Sequence, residues 1–184
     1  MTRTINIKKI VNSKALTTMS AAIAIAFVVM TTAWQIPQAI ATSLEEIKVS
    51  HEISAPIDQI WNIVSDIDNE PKYWPTSKNI RNINKTDNII EREVIVRAGP
   101  QDTKTHQFVT VNPELRLIQT NITEGPVTGS RVITLTPLYD NITKVDVLWN
   151  LDLSNIPTLV RGFTKDNFMK TTEEALGRIA QAAE

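Results

Sequence analysis

The chain has 184 residues, contains no cysteine and carries a formal net charge of −1 at pH 7. The absence of cysteine excludes disulfide bonds, thiolate catalysis and a cysteine-ligated metal site. All charges in the first 41 residues are positive, so residues 42–184 hold 15 basic and 20 acidic residues, a net charge of −5. An acidic body without a cluster of lysine and arginine argues against a nucleic-acid partner, which requires concentrated positive charge.

The N-terminal segment has the features of an export signal. Residues 1–14 are basic, and residues 15–41 are uncharged and largely apolar. The segment ends in Ala39-Ile40-Ala41, which has the A-x-A spacing of a signal-peptide cleavage site. The pattern predicts that residues 1–41 are a signal peptide and that the domain works outside the cytoplasmic membrane. Two alternatives remain open: residues 15–34 anchor the uncleaved chain in the membrane, or they form a buried helix of the domain.

The folded part begins with a strand and two short helices. Residues 45–53 alternate apolar and polar side chains, which predicts a half-buried strand. A proline opens residues 56–64 and suits the first turn of a short helix. Residues 66–73 are predicted to form a second short helix or turn. It ends before Trp74-Pro75, because the residue before proline is disfavoured in helical geometry.

Six further strands are predicted to follow as a meander. Each break between them is rich in glycine, proline, asparagine or aspartate, the residues of tight turns. The predicted strands are residues 78–85, 89–97, 104–111, 115–122, 131–138 and 143–153. The last strand alternates most regularly, and its apolar face, from Val145 to Leu153, is expected to hold the C-terminal helix.

The C-terminal residues predict one long amphipathic helix from Pro157 to the end of the chain. The side chains of one stripe recur at helical spacing; they are Phe168, Met169, Thr172, Leu176, Ile179, Ala180 and Ala183. A second apolar set, Leu159, Val160 and Phe163, lies off this stripe. Gly162 falls between the two sets, and a bend in the helix is expected there. The natural partner surface for this helix is a curved sheet.

The element order and several short motifs resemble the START-like, or SRPBCC, superfamily of helix-grip proteins. This superfamily includes relatives of the birch pollen allergen, polyketide cyclases/dehydrases and coenzyme Q-binding proteins. The resemblance covers residues 45–184, and the residues that carry it are Ile53-Ser54-Ala55-Pro56-Ile57-Asp58-Gln59-Ile60-Trp61, Trp74-Pro75, Gly125, Gly129 and Ala175-Leu176. It implies an α+β helix-grip fold over residues 42–184. In that fold a seven-stranded antiparallel curved sheet surrounds a long C-terminal helix, and two short helices follow the first strand.

The sequence holds none of the common catalytic or cofactor motifs. It lacks a nucleophile elbow, a phosphate-binding P-loop, a dinucleotide fingerprint and an H-E-x-x-H metal motif. We therefore predict no cofactor and no metal. A zinc site built from His51, His106 and a carboxylate is the less favoured alternative. His51 shares its parity with Ile47 and Ile53, which predicts an inward side chain that either orients a ligand or forms hydrogen bonds within the core.

A sheet that wraps around one helix tends to leave space between the two layers, and we predict a cavity for an apolar ligand there. The candidate lining side chains are aromatic or apolar: Trp74, Phe108, Trp149, Phe163 and Met169. Arg97, Glu93 and His106 are candidate polar anchors. The family resemblance implies that Asn167 lies where such pockets open. The alternative is that these side chains fill a solid core.

These features favour an exported or membrane-tethered protein that binds a lipid, isoprenoid or polyketide-like compound without catalysis. Two other functions remain open. A cyclase/dehydratase-like enzyme would use His51 or His106 as general base and Arg97 to polarise a carbonyl, which requires a histidine that points into the cavity. A cell-surface protein-interaction module would have a filled interior and a large exposed apolar patch.

Overall fold

The computed structural model describes residues 44–98, 101–139 and 141–184. The predicted signal peptide or anchor, residues 1–41, lies outside these ranges. The strands are β1 (Glu45–Ile53), β2 (Ser77–Thr86), β3 (Ile89–Ala98), β4 (Gln101–Asn112), β5 (Leu117–Glu124), β6 (Thr128–Tyr139) and β7 (Ile142–Asp152). The helices are α1 (Ile57–Val64), α2 (Glu70–Tyr73) and α3 (Thr158–Ala183). None of these helices is both long enough and apolar enough to cross a bilayer.

The seven strands form one antiparallel sheet in the order β1-β7-β6-β5-β4-β3-β2. From β2 to β7 each strand pairs with the next in sequence, and β1 pairs with β7. β1 and β2 are therefore the edge strands. This arrangement confirms the predicted fold: a curved antiparallel sheet, a long C-terminal helix and short helices after the first strand.

The core lies between the inner face of the sheet and α3. The alternation of β7 buries its apolar side chains on this face, which are Val145, Val147, Trp149 and Leu151. The predicted contact between β7 and the helix is present, because Nε1 of Trp149 donates to Oγ1 of Thr172 at 3.0 Å. Full burial of one large apolar side chain stabilises the fold by about 1.5–3 kcal/mol. This seam therefore fixes the helix on the sheet.

The two halves of α3 have different surroundings. All of its buried residues lie from Thr172 onward, and Nε2 of Gln59 on α1 donates to the carbonyl oxygen of Ala183 at 2.7 Å. In the first half, Leu159 and Phe163 are 98% and 74% exposed. The second half therefore packs into the core, whereas the apolar set around Gly162 remains accessible.

The close approach of β6 to β7 requires glycine at position 129. Gly129 has a φ of +136°, a conformation that residues with a side chain rarely adopt. A Cβ atom at this position would lie 2.1 Å from the carbonyl oxygen of Asn150 and 2.9 Å from Cα of Leu151. The backbone of β7 occupies the space that any side chain would need.

We expect Gly129→Ala to destabilise the domain by roughly 1–3 kcal/mol, because the backbone is strained and the new Cβ meets a neighbouring strand. Gly162→Ala is the matched control, since nothing lies within 4 Å of a Cβ built there. Alanine in a helix interior should be neutral or stabilise by up to about 1 kcal/mol. Urea unfolding midpoints measure both effects; a wild-type midpoint for Gly129→Ala would contradict this account.

Candidate functional site

A cavity of about 410 Å³ lies between the inner face of the sheet and α3. Its volume falls within the range of small-molecule pockets, about 300–1,000 Å³. Its walls come from α2, β3 to β7 and the first half of α3. The lining residues that define its chemistry are Glu70, Trp74, Thr105, Gln107, Thr120, Arg131, Trp149, Phe163 and Phe168.

The cavity has a closed end and an open end. At the closed end, Glu70, Trp74 and Arg131 are each less than one-tenth exposed. At the open end, the side chains of Phe163 and Asn167 on α3 are exposed. A ligand that enters beside α3 would therefore reach the charged residues last.

Aromatic side chains form much of the apolar wall. The indole of Trp149 contacts the indole of Trp74 edge-on, with ring centroids 6.0 Å apart. It also contacts the ring of Phe168 at 5.1 Å. Edge-on aromatic pairs of this kind stabilise by about 0.5–1.5 kcal/mol beyond the burial of their surface. The wall is therefore rigid and suited to an apolar ligand.

Strand register places the polar side chains at the closed end. Thr120 of β5 lies opposite Arg131 of β6, which lies opposite Trp149 of β7. Arg92 of β3 lies opposite Gln107 of β4. Directly opposed residues of an antiparallel sheet point to the same face. These five side chains therefore share the inner face.

Glu70 joins two buried arginines. Its Oε2 accepts a hydrogen bond from Nη2 of Arg92 at 2.6 Å, and its Oε1 accepts one from Nη1 of Arg131 at 3.0 Å. Burial on its own raises the pKa of Glu70, but the charges and hydrogen bonds of Arg131 and Arg92 outweigh it and lower the pKa to about 2. Glu70 is therefore ionised at neutral pH.

Arg92 lies behind the cavity wall with its donors in use. Its Nη1 donates to the carbonyl oxygen of Ile67 at 3.1 Å. Its Nε and Nη2 donate to Oε1 of Gln107 at 3.2 and 3.0 Å. Arg92 therefore ties β3 to β4 and to the turn before α2.

Arg131 lines the cavity and has donor capacity to spare. Its Nη2 makes one long hydrogen bond, 3.4 Å to Oγ1 of Thr120. Its Nε is buried and has no hydrogen-bond partner among the described residues. The guanidinium carbon lies 4.2 Å from the ring centroid of Trp74 and 5.3 Å from that of Trp149. Arg131 is therefore held by aromatic contacts while part of its polar edge is unpaired.

Five of the nine predicted ligand-binding residues line the cavity: Trp74, Arg97, Trp149, Phe163 and Asn167. Arg97 is exposed at the open end, where its guanidinium pairs with Asp102. The structure thus brings these five side chains to one space. Their role in ligand binding remains a prediction.

His106 and Phe108 lie on the outer face of β4, contrary to their predicted place in the cavity. Their rings contact each other at 5.1 Å. Nε2 of His106 lies 2.9 Å from Oε1 of Glu91, and Nδ1 lies 3.0 Å from Oγ1 of Thr123. Successive residues of a strand point to opposite faces, and Gln107 takes the inward position.

His51 and Met169 also lie outside the cavity lining. His51 has the predicted parity, but its side chain is exposed. β1 is an edge strand, so a neighbouring strand covers it on one side only. Met169 is 38% exposed, whereas the preceding Phe168 lines the cavity, because one residue along a helix turns the side chain by about 100°. With His51 and His106 both outside, the proposed histidine base of a cyclase has no place in the cavity.

The charged residues of the closed end, Glu70, Arg92 and Arg131, were not among the predicted site residues. The sequence carried one signal for them, since Arg131 shares its strand parity with the apolar Ile133 and Leu135. A charged residue on the apolar face of a strand indicates a buried ion pair or a site. Among the residues that the structure describes, no group of three His, Asp or Glu side chains is placed to hold a metal ion.

Residues 45–184 match the family described as polyketide cyclase/dehydrase and lipid transport. The fold is similar to that of the Zhui aromatase/cyclase from Streptomyces sp. R1128, with a TM-score of 0.69 and 12% identity over 76% of this chain and 93% of that chain. A protein from Thermus thermophilus gives 0.67 and 14% identity over 76% and 97%. A START superfamily protein from Mycobacterium smegmatis gives 0.57 and 19% identity over 74% and 92%. At these identities the likeness is one of fold alone. No curated protein matches the chain in sequence.

We expect Glu70→Gln to destabilise the domain by roughly 3–5 kcal/mol at neutral pH, because it removes the negative charge between two buried arginines. Glu93→Gln is the control. Glu93 pairs with Arg81 and Lys104 on the outer face, where solvent screens the charges, so its loss should shift the urea midpoint far less.

The same substitution should also remove a pH dependence. The pKa of Glu70 is about 2 in the folded protein against an ordinary value of 4.5, so its stabilising contribution is complete above about pH 4.5 and is lost as the pH falls toward 2. The stability difference between wild type and Glu70→Gln should therefore shrink over this range. A difference that stays constant in urea titrations would show that Glu70 is not held ionised by the arginines.

Proposed function

The chain belongs to the polyketide cyclase/dehydrase and lipid transport family, and we propose that it is a binding protein for a small hydrophobic ligand. Membership confirms the resemblance to the START-like superfamily that the sequence indicated. The family implies either a hydrophobic ligand-binding protein or a cyclase. The ligand site is the cavity between the sheet and α3.

The observation that carries this proposal is the aromatic-walled cavity of about 410 Å³. Trp74, Trp149 and Phe168 supply rigid apolar surface, and α3 leaves one end accessible. Burial of ligand surface against such walls contributes about 25 cal/mol per Å², before the costs of ordering the ligand. Apolar burial is therefore the main source of affinity.

The side chains of the cavity support binding without catalysis. A general base works best with a pKa near the operating pH, whereas Glu70 has a pKa of about 2 and both of its oxygens already accept from arginines. Neither His51 nor His106 lines the cavity. The cavity also argues against the interaction module, which requires a filled interior, and exposed Phe163 is accounted for by its place at the open end.

We further propose that the domain works outside the cytoplasmic membrane, either released or tethered by residues 15–34. The support is the basic lead, the long uncharged run and the A-x-A spacing that ends at Ala41. A binding protein in that compartment would meet ligands released from the membrane or from outside the cell.

Filling the cavity should abolish ligand binding. Val96 lines the cavity, and its strand neighbour Ile95 does not. Val96→Trp is expected to weaken binding of the neutral apolar probe Nile red by about tenfold or more, since the indole would occupy ligand space. Ile95→Trp adds the same group on the opposite face and should bind as wild type does. Fluorescence titration of the purified proteins measures both; equal affinities in the two variants would place the probe elsewhere.

Export predicts a change in mass. In cells that express the full chain, the extracytoplasmic fraction should contain a protein that begins at Thr42, as measured by intact mass. Replacing Ala39 and Ala41 with arginine should block cleavage and leave full-length protein in the membrane fraction. Recovery of the uncleaved wild-type chain from the cytoplasm would contradict export.

A further inference from the structure

The closed end of the cavity holds one more positive than negative charge. Arg92 and Arg131 are 0% and 4% exposed, and Glu70 is 8% exposed. Among the described residues, Glu70 is the acid within ion-pair distance of either arginine, and it pairs with both. An unbalanced charge removed from water is costly. The cluster therefore lacks one negative charge.

The missing charge belongs at Arg131 rather than at Arg92. Arg92 donates to Glu70, Gln107 and the carbonyl oxygen of Ile67, and it does not line the cavity. Arg131 does line the cavity, and no described group accepts from its Nε. The excess charge and the unpaired donor therefore coincide on one side chain at the cavity wall.

The aromatic contacts of Arg131 leave its polar edge free for a ligand. Its guanidinium lies over the faces of Trp74 and Trp149. The donors of a guanidinium lie in its plane, so contact with a ring face does not use them. The same two indoles bound the apolar part of the cavity. A ligand that places its apolar body against the indoles would bring an adjoining polar atom to Arg131.

We propose that the ligand is an apolar acid whose carboxylate binds Arg131 at the closed end of the cavity. Its apolar body lies along Trp149 and Phe168 toward the open end at Phe163. This inference rests on the proposed function and narrows its ligand class. The carboxylate supplies the missing negative charge and accepts from the guanidinium, whereas a neutral alcohol of the same shape supplies neither an ionic charge nor a charge-assisted acceptor.

Calorimetric titration of the purified full chain with matched ligand pairs tests the proposal. The pairs are decanoate with decanol and 2-naphthoate with 2-naphthylmethanol, so that chain-like and aromatic bodies are both sampled. At pH 7 we expect each carboxylate that binds to do so about tenfold or more tightly than its alcohol, because hydrogen bonds to charged groups are the stronger class.

Two variants assign the preference to one side chain. Arg131→Gln should bring the carboxylate and alcohol affinities close together, and it leaves Arg92 and Glu70 as a balanced pair. Arg81→Gln removes an arginine that pairs with Glu93 on the outer face, and it should keep the wild-type preference. Urea unfolding of both variants checks that they remain folded. If Arg131→Gln does not fold, the wild-type ratio alone decides.

The outcomes separate this inference from the proposed function. Equal binding of acid and alcohol by the wild type would overturn the inference and leave hydrophobic binding intact. A preference that survives in Arg131→Gln would also overturn it. Binding of no probe to the wild type would overturn both. A preference that depends on Arg131 and not on Arg81 is the expected result.

Discussion

The contact of Glu70 with two buried arginines fixes the geometry on which the site depends. α2 has four residues and no side-chain cap, so little within the helix itself holds it against the sheet. Arg92 on β3 and Arg131 on β6 reach it from strands that are three positions apart in the sheet. Once α2 is in place, the chain turns at Trp74, whose residue type and extended geometry suit the position before Pro75. Trp74 then lies against Arg131 and forms the closed end of the cavity. One ion-pair cluster therefore sets both the wall and the charge of the site.

The same fold leaves a cavity at one end of α3 and a solid core at the other. Beneath the second half of the helix, the inner face of the sheet carries Val147 and Leu151, and these fill the space. Further along the sheet, the inward positions hold shorter or polar side chains, including Thr105 and Thr120. These side chains do not reach the first half of the helix, which packs loosely and keeps Phe163 exposed. The cavity is thus a consequence of which residue types occupy the inward positions of β4 and β5.

Sequence patterns predicted the fold well and the site in part, for separable physical reasons. Strand alternation and turn residues are local signals, and β7 and α3 carry them clearly. The face of β4 was harder to assign, because Phe108 and Val109 place an apolar residue on each side, so a choice by residue type favoured His106 and Phe108 over Gln107. His51 has the right parity but lies on an edge strand, where parity does not ensure burial. The Glu70 cluster joins residues far apart in sequence, and only the parity of Arg131 hinted at it.

The central claim is that the space between the sheet and α3 holds a small apolar molecule. Native mass spectrometry of the chain purified directly from cells, followed by release and identification of any bound species, tests this most directly. We predict one apolar molecule per chain, displaced when tryptophan replaces Val96. A chain that is free of ligand on isolation, and that stays free after incubation with a total lipid extract from the same cells, would contradict the account.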